Sequence, residues 1–167
     1  SLPAASVRFM AETAVLEHLN AELCDAVTGR DDGAALLDQL VQANLLVEPL
    51  DGEGRWLRYH QLLRDYLRGP GGNRLQVDAP GLNLRAAHWF ADRSGWTDAV
   101  RHALAAGDKA QAVEWMAHCG MALVTAGDLM TLLGWRRQFP PDLMARQPRV
   151  QLALAWALTL AIIGRAS

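Results

Sequence analysis

Leu45-Leu46-Val47-Glu48-Pro49-Leu50-Asp51-Gly52-Glu53-Gly54-Arg55-Trp56-Leu57-Arg58-Tyr59 is the stretch on which the fold turns. On both sides of it, apolar residues recur at three- and four-residue steps, the period of a helix. Here the period falls to two. Residues 45–50 read as a strand, Asp51 to Gly54 as a tight turn, and residues 55–59 as a return strand. Trp56 and Arg58 fall on one side of that return strand, Leu57 and Tyr59 on the other.

Upstream, Val7, Met10, Ala14, Val15 and Leu19 mark a first helix. Asn20 breaks that run and can cap a second helix over 21–27, because its short side chain accepts a backbone N–H. Thr28 to Gly33 is a loop of turn formers whose acids are placed to cap a third helix over 34–43, with Leu36, Leu37, Leu40 and Val41 on one face. Asn44 follows as a left-handed terminator. Downstream, Leu62, Leu63, Tyr66 and Leu67 stripe a helix over 60–68. Three helices, a two-stranded hairpin and a helix are the order of a winged-helix module, assigned to residues 1–69.

Gly69-Pro70-Gly71-Gly72-Asn73 has linker composition, so 70–80 is read as a connection. Beyond Pro80 the period is helical throughout: 84–93, 96–106, 109–119, 121–125, 128–138 and 149–163. Breaks fall at Ser94-Gly95, Gly107-Asp108, Gly127-Asp128 and Phe139-Pro140-Pro141. Small residues (Ala86, Ala99, Ala103, Ala112) alternate with large ones (Trp89, Phe90, Trp96, Leu104, Trp115). That alternation on short helices is how helical hairpins stack, so 81–167 is read as a helical arm of tetratricopeptide-like repeats. The fold class is mainly α. Trp89, Trp96, Trp115, Trp135 and Trp156 are expected in the packing between repeats, and Trp56 against the module's own helices.

Composition limits the chemistry. Of 167 residues, 51% are apolar and 20% charged, the balance of a soluble globular chain. Cys24 and Cys119 stand alone, with no zinc or disulfide spacing, which suits small buried hydrophobes in a reducing cytoplasm. Residues 1–10 do not read as a signal peptide, lacking a basic patch followed by an apolar run, and the most apolar stretch, 150–163, is shorter than a bilayer span. The first residue is not Met and the chain stops just after its most apolar helix, the pattern of a piece of a longer protein.

Residues 1–70 hold six Arg against eleven acids, and residues 71–167 ten Lys and Arg against seven. Neither balance is a footprint for DNA. The helix before the hairpin, which would enter a major groove, carries Asp38 and no cation, so contact with a polyanion would be repulsive. Lys109 is the sole lysine and follows Asp108, so no phosphate-cradling loop exists. His18, His88, His102 and His118 lie apart and read as surface or packing residues. An active site confined to these residues is not expected.

Glu22-Leu23-Cys24-Asp25-Ala26-Val27-Thr28-Gly29, Leu45 to Asp51, and Arg58-Tyr59-His60-Gln61-Leu62-Leu63-Arg64-Asp65-Tyr66-Leu67 resemble the MalT-like group of LuxR-family, ATP-dependent transcriptional regulators. His102 to Asp108 and Leu133-Gly134-Trp135 resemble the helical region of the same family. The resemblance implies a larger plan: a nucleotide-binding ATPase domain, a winged helix, a helical arm, a repeat-built sensor and a terminal DNA reader. This segment would hold the winged helix and the start of the arm, without the phosphate loop, the Mg-binding acid or the DNA reader. ATP, ADP and Mg would then belong to the full-length protein, with no cofactor in the segment. Its partners would be the ATPase domain and an inducer or regulatory protein, with no DNA and no membrane.

One position carries over. In related ATPases the second wing strand ends in a Met-His-Asp-type motif whose His reaches the ADP phosphate, and Tyr59-His60-Gln61 occupies the matching place. His60 is therefore the candidate nucleotide-sensing residue, with Gln61 replacing the acid. A cap or packing role for His60 is the plainer reading. A helical-repeat scaffold that binds another protein, with no ATPase attached, is the alternative function.

Overall fold

A computed structural model describes residues 2–45 and 47–166, and the chain divides into two compact units, Ser1–Trp89 and Phe90–Ser167. The first holds α1 (Ala4–Thr13), α2 (Ala21–Thr28), α3 (Gly33–Gln42), β1 (Val47–Pro49), β2 (Leu57–Tyr59), α4 (Gln61–Tyr66), a π-helical turn (Leu67–Gly71) and α5 (Gly72–Leu75). A further helix, α6 (Ala79–Ala91), runs through the end of that unit. The fold is mainly α with one small antiparallel sheet, as the period change at residue 45 implied.

The three N-terminal helices bury Phe9, Met10, Leu23, Val27, Leu36, Leu37 and Leu40. Asn20 caps α2 as read, its Oδ1 accepting the Leu23 N–H at 2.7 Å. Asn44 is left-handed (φ 52°), and the Leu45 N–H closes back onto the Leu40 carbonyl. The cap of α3 differs from expectation. Asp32 is engaged by Arg30, and Asp25 of α2 instead accepts the Gly33 N–H at 2.8 Å.

α1 ends at Thr13, six residues short of the expected Leu19, for a reason no local pattern carries. Leu19 pairs with Leu57 through two backbone bonds of 2.7 and 2.8 Å, adding a third short edge to the hairpin. Leu16 and Leu19 are thereby delivered into the core. The strands pair Val47 with Tyr59, Glu48 with Arg58 and Pro49 with Leu57. They are shorter than read, because Asp51 Oδ1 takes the Arg55 N–H at 2.9 Å and draws Arg55 into the turn. Leu46, also read as strand, lies outside the described residues. Leu57 and Tyr59 face inward and Arg58 outward. Trp56 meets His18 edge-on at 4.8 Å, in the connection after α1 rather than on a helix.

The stretch 70–80 is not an unstructured connection. The π-helical turn kinks at Gly69 (φ −105°, ψ −110°), continues into α5, and returns against α1. Glycine serves close packing here: a Cβ on Gly72 would lie 2.6 Å from the Leu67 carbonyl oxygen. Arg68 donates to the Ala14 and Val15 carbonyls at 2.6 and 3.0 Å, and Arg8 to the Leu75 carbonyl at 3.3 Å. The compact unit therefore extends to Trp89 rather than stopping at residue 69.

The second unit holds α7 (Trp96–Ala105), α8 (Lys109–Ala126), α9 (Leu129–Arg136), α10 (Pro141–Ala145) and α11 (Pro148–Ala166). Left-handed Gly107 and Gly127 terminate helices where the sequence breaks, and Asp108 and Asp128 cap the next ones. α7 packs on α8, and α8 and α9 pack on α11. α8 is continuous where two helices were expected. Gly120 sits inside it because a Cβ there would stand 2.9 Å from the Ala153 Cβ of α11. The short α10 fills what was read as a break.

Trp115 and Trp135 are buried, and Trp96 stacks on His118 at 4.2 Å. Trp156 departs from the core reading: it is 49% exposed on α11. His102 is buried and stacks on Phe90 at 5.7 Å. α11 is 19 residues long and apolar enough to cross a membrane by length and composition, longer than the sequence reading gave. One stripe of it, Val150, Ala153, Leu154 and Ala157, is buried within the unit.

Candidate functional site

The expected site residue, His60, stands where the wing meets α4. Its backbone is extended (φ −54°, ψ 142°), and it caps α4 by accepting the Leu62 N–H on Nδ1 at 3.3 Å. An imidazole nitrogen that accepts cannot carry the proton, so neutral His60 holds its proton on Nε2. The cap thus turns the ring's remaining edge into a hydrogen-bond donor.

Two arginines join it. Strand alternation turns Tyr59 inward and Arg58 outward, and the antiparallel register places Glu48 across from Arg58. Arg58 donates to Glu48 Oε2 from Nε at 3.1 Å and from Nη2 at 3.0 Å. Arg64 lies four residues past His60, one turn along α4, hence on the same face. Its Nη1 donates to Glu17 Oε2 at 2.7 Å. Arg64 Nε is shut from solvent with no hydrogen-bond acceptor among the described residues. A buried donor left without a partner costs about 1–3 kcal/mol, more when charged.

Glu48, Arg58, Tyr59, His60, Gln61 and Arg64 line a recess of about 270 Å³. Its side chains offer two guanidinium groups and an imidazole N–H against one carboxylate already paired, so it suits an anion. A phosphate group fits this donor set. A nucleotide base finds no aliphatic wall here, since base pockets are mostly apolar. Magnesium finds no fit either, since it requires oxygen ligands in octahedral array and Glu48 is committed to Arg58. Among the described residues no three His, Cys, Asp or Glu side chains gather as metal ligands.

Of the buried titratable groups, Tyr59 borders this recess and the two thiols do not. Burial pushes the Cys24 thiol up to about 12 and the Cys119 thiol up to about 11, so neither is poised as a nucleophile. Tyr59, shut in beside Thr13, is raised well above the ordinary phenol range, chiefly by desolvation. The outward residues of α3, Ala34, Ala35, Asp38, Gln39, Val41 and Gln42, include no cation.

The sequence pointed to His60 and Gln61 as candidates and not to Arg58, Arg64, Glu48 or Glu17, which the structure places beside them. Arg64 carried a usable signal, the four-residue spacing from His60. Glu17 carried none, being 47 residues from its partner.

A family model of the MalT winged helix domain matches residues 1–78. The serine/threonine-protein kinase PknK of Mycobacterium tuberculosis is 32% identical over 152 residues, covering 89% of this chain and 13% of the kinase. The HTH-type transcriptional regulator MalT of Vibrio cholerae is 28% identical over 148 residues, covering 89% of this chain and 16% of the regulator. MalT of Cronobacter sakazakii is 26% identical over 151 residues, covering 90% and 17%. This chain therefore spans roughly a sixth or less of the curated relatives it matches, and the similarity continues past the winged helix into the helical unit. Residues 1–78 match the MalT winged helix domain, and the chain as a whole is MalT-like.

Proposed function

We propose that this chain is the regulatory, non-catalytic segment of an ATP-dependent bacterial transcription regulator of the cytoplasm. In this reading the winged helix docks on an ATPase domain of the parent protein and holds its ADP-bound resting state. The helical unit, taken as the beginning of a tetratricopeptide-like arm, passes on the signal of an inducer or regulatory protein. ATP, ADP and Mg would be held mainly by the ATPase domain, and promoter DNA by a separate reader. The observation that carries the reading is the recess in which His60 presents an Nε2 donor beside Arg58 and Arg64.

His60 would supply one donor to a phosphate oxygen at the end of a nucleotide gripped elsewhere. The coupling follows from linkage: a group that contacts nucleotide in the resting state alone stabilises that state by the energy of the contact. One charge-assisted bond contributes about 1.5–3 kcal/mol. In the parent protein, His60→Ala should therefore weaken ADP retention about tenfold or more and raise basal transcription. Unchanged ADP affinity together with unchanged basal transcription disposes of the reading.

A second reading, a helical scaffold for another protein, draws on Leu152, Trp156, Ile162 and Ile163, which leave an apolar face of α11 exposed. The similarity to both a kinase and a transcription regulator is compatible with a module that serves different effectors.

A further inference from the structure

The recess beside His60 contains a side chain whose bonding is incomplete, and its resting partner is provided for without it. Arg64 reaches Glu17 with Nη1 alone, while its Nε has no acceptor among the described residues. Glu17, by contrast, is held twice, because Arg68 Nη2 donates to its other oxygen at 3.3 Å. Arg68 is itself anchored on the Ala14 and Val15 carbonyls. If Arg64 leaves, Glu17 keeps a cationic partner and no carboxylate is stranded.

We propose that Arg64 is a second phosphate ligand of the recess and that it binds by exchanging Glu17 for the anion. The proposal rests on the reading of the recess as a phosphate site. A guanidinium offers Nε–H and an Nη–H as a fork that matches two oxygens of a phosphate, and at rest the Nε half of that fork is unused. A phosphate beside His60 satisfies that orphaned donor, which the Glu17 contact does not. The exchange also releases the Arg64–Glu17 tie between α4 and the connection of residues 14–17, leaving those that Arg68 makes from the π-helical turn. Filling the recess is thereby coupled to how tightly α4 is strapped to the end of α1. By linkage, removing the strap must favour the anion in the same proportion.

The test uses the 15N-labelled chain titrated with inorganic pyrophosphate. The Arg64 Nε–H and His60 imidazole signals are expected to move together. Arg64→Gln should lower pyrophosphate affinity about tenfold, the effect of losing a charge-assisted contact. Glu17→Gln should raise it about two- to threefold by removing the competing partner. Should His60 signals move and His60→Ala weaken binding, while Arg64→Gln and Glu17→Gln change nothing, the exchange is overturned and the phosphate reading stands. Pyrophosphate that moves neither set of signals overturns both. If Arg64→Gln loses its amide dispersion, Arg64→Lys and Glu17→Gln decide the matter. The lysine keeps the charge without the fork and should also bind weakly, and unchanged affinity in both variants refutes the proposal.

Discussion

The buried hydroxyl pair that anchors β2 allows a prediction in which the sign matters more than the size. Thr13 Oγ1 lies 2.8 Å from the Phe9 carbonyl and 2.7 Å from Tyr59 Oη, and both residues are buried. A hydroxyl has one proton. The Phe9 carbonyl can only accept, so Thr13 donates to it and Tyr59 donates to Thr13. Tyr59→Phe removes a donor and leaves Thr13 bonded, at a cost of about 1 kcal/mol. Thr13→Val keeps the shape but strands the Tyr59 hydroxyl in the core, which costs about 2–3 kcal/mol. The double variant strands nothing. It should be more stable than Thr13→Val alone, with a coupling of about 1–2 kcal/mol. Urea unfolding of the four proteins, followed by far-UV circular dichroism with the slopes compared, measures this. Additive losses, or a Tyr59→Phe cost above that of Thr13→Val, would refute the assigned direction of donation.

Two further outcomes test the packing. Gly120→Ala should lose up to about 2 kcal/mol, because overpacking of about 1–3 kcal/mol offsets a helix-propensity gain near ~1 kcal/mol. Adding Ala153→Gly should recover most of the loss, and a stabilised single variant in calorimetry would contradict the 2.9 Å approach of α8 and α11. Burial of Cys24 makes stability depend on alkaline pH: its thiol ionises at about 12 when folded but near ~8.5 when unfolded. The stabilisation is complete below the unfolded value and falls as pH climbs toward the folded one, by up to about 5 kcal/mol. Denaturation midpoints between about pH 8.5 and 10 should decline less steeply in Cys24→Ala, and parallel slopes would count against the burial argument.

What could be read from the sequence followed the range of the forces. The hairpin was legible because alternation is local, and Asn20 and Asn44 because caps act within a few residues. The end of α1 was not, since its apolar spacing fits a longer helix and only the distant Leu57 withdraws Leu19 from it. Gly71 and Gly72 misled because a glycine needed for flexibility and one needed for close packing look alike as letters. Gly120 misled for the same reason, and reading it as a break cut α8 in two. At the site, resemblance located His60 and helical spacing could have located Arg64. The pairing of Glu17 with Arg64 and Arg68 exists only once the chain has folded back on itself.

That folding back has a mechanical meaning. The opening helix of the winged module and its closing turn are stapled side by side, through Arg8 on Leu75 and Arg68 on Ala14. Tension applied between the two ends of this module meets that junction before it reaches the wing. The hairpin is left as a slack branch of the circuit, while the pocket beside it stays joined to the junction through Glu17, which Arg64 and Arg68 share.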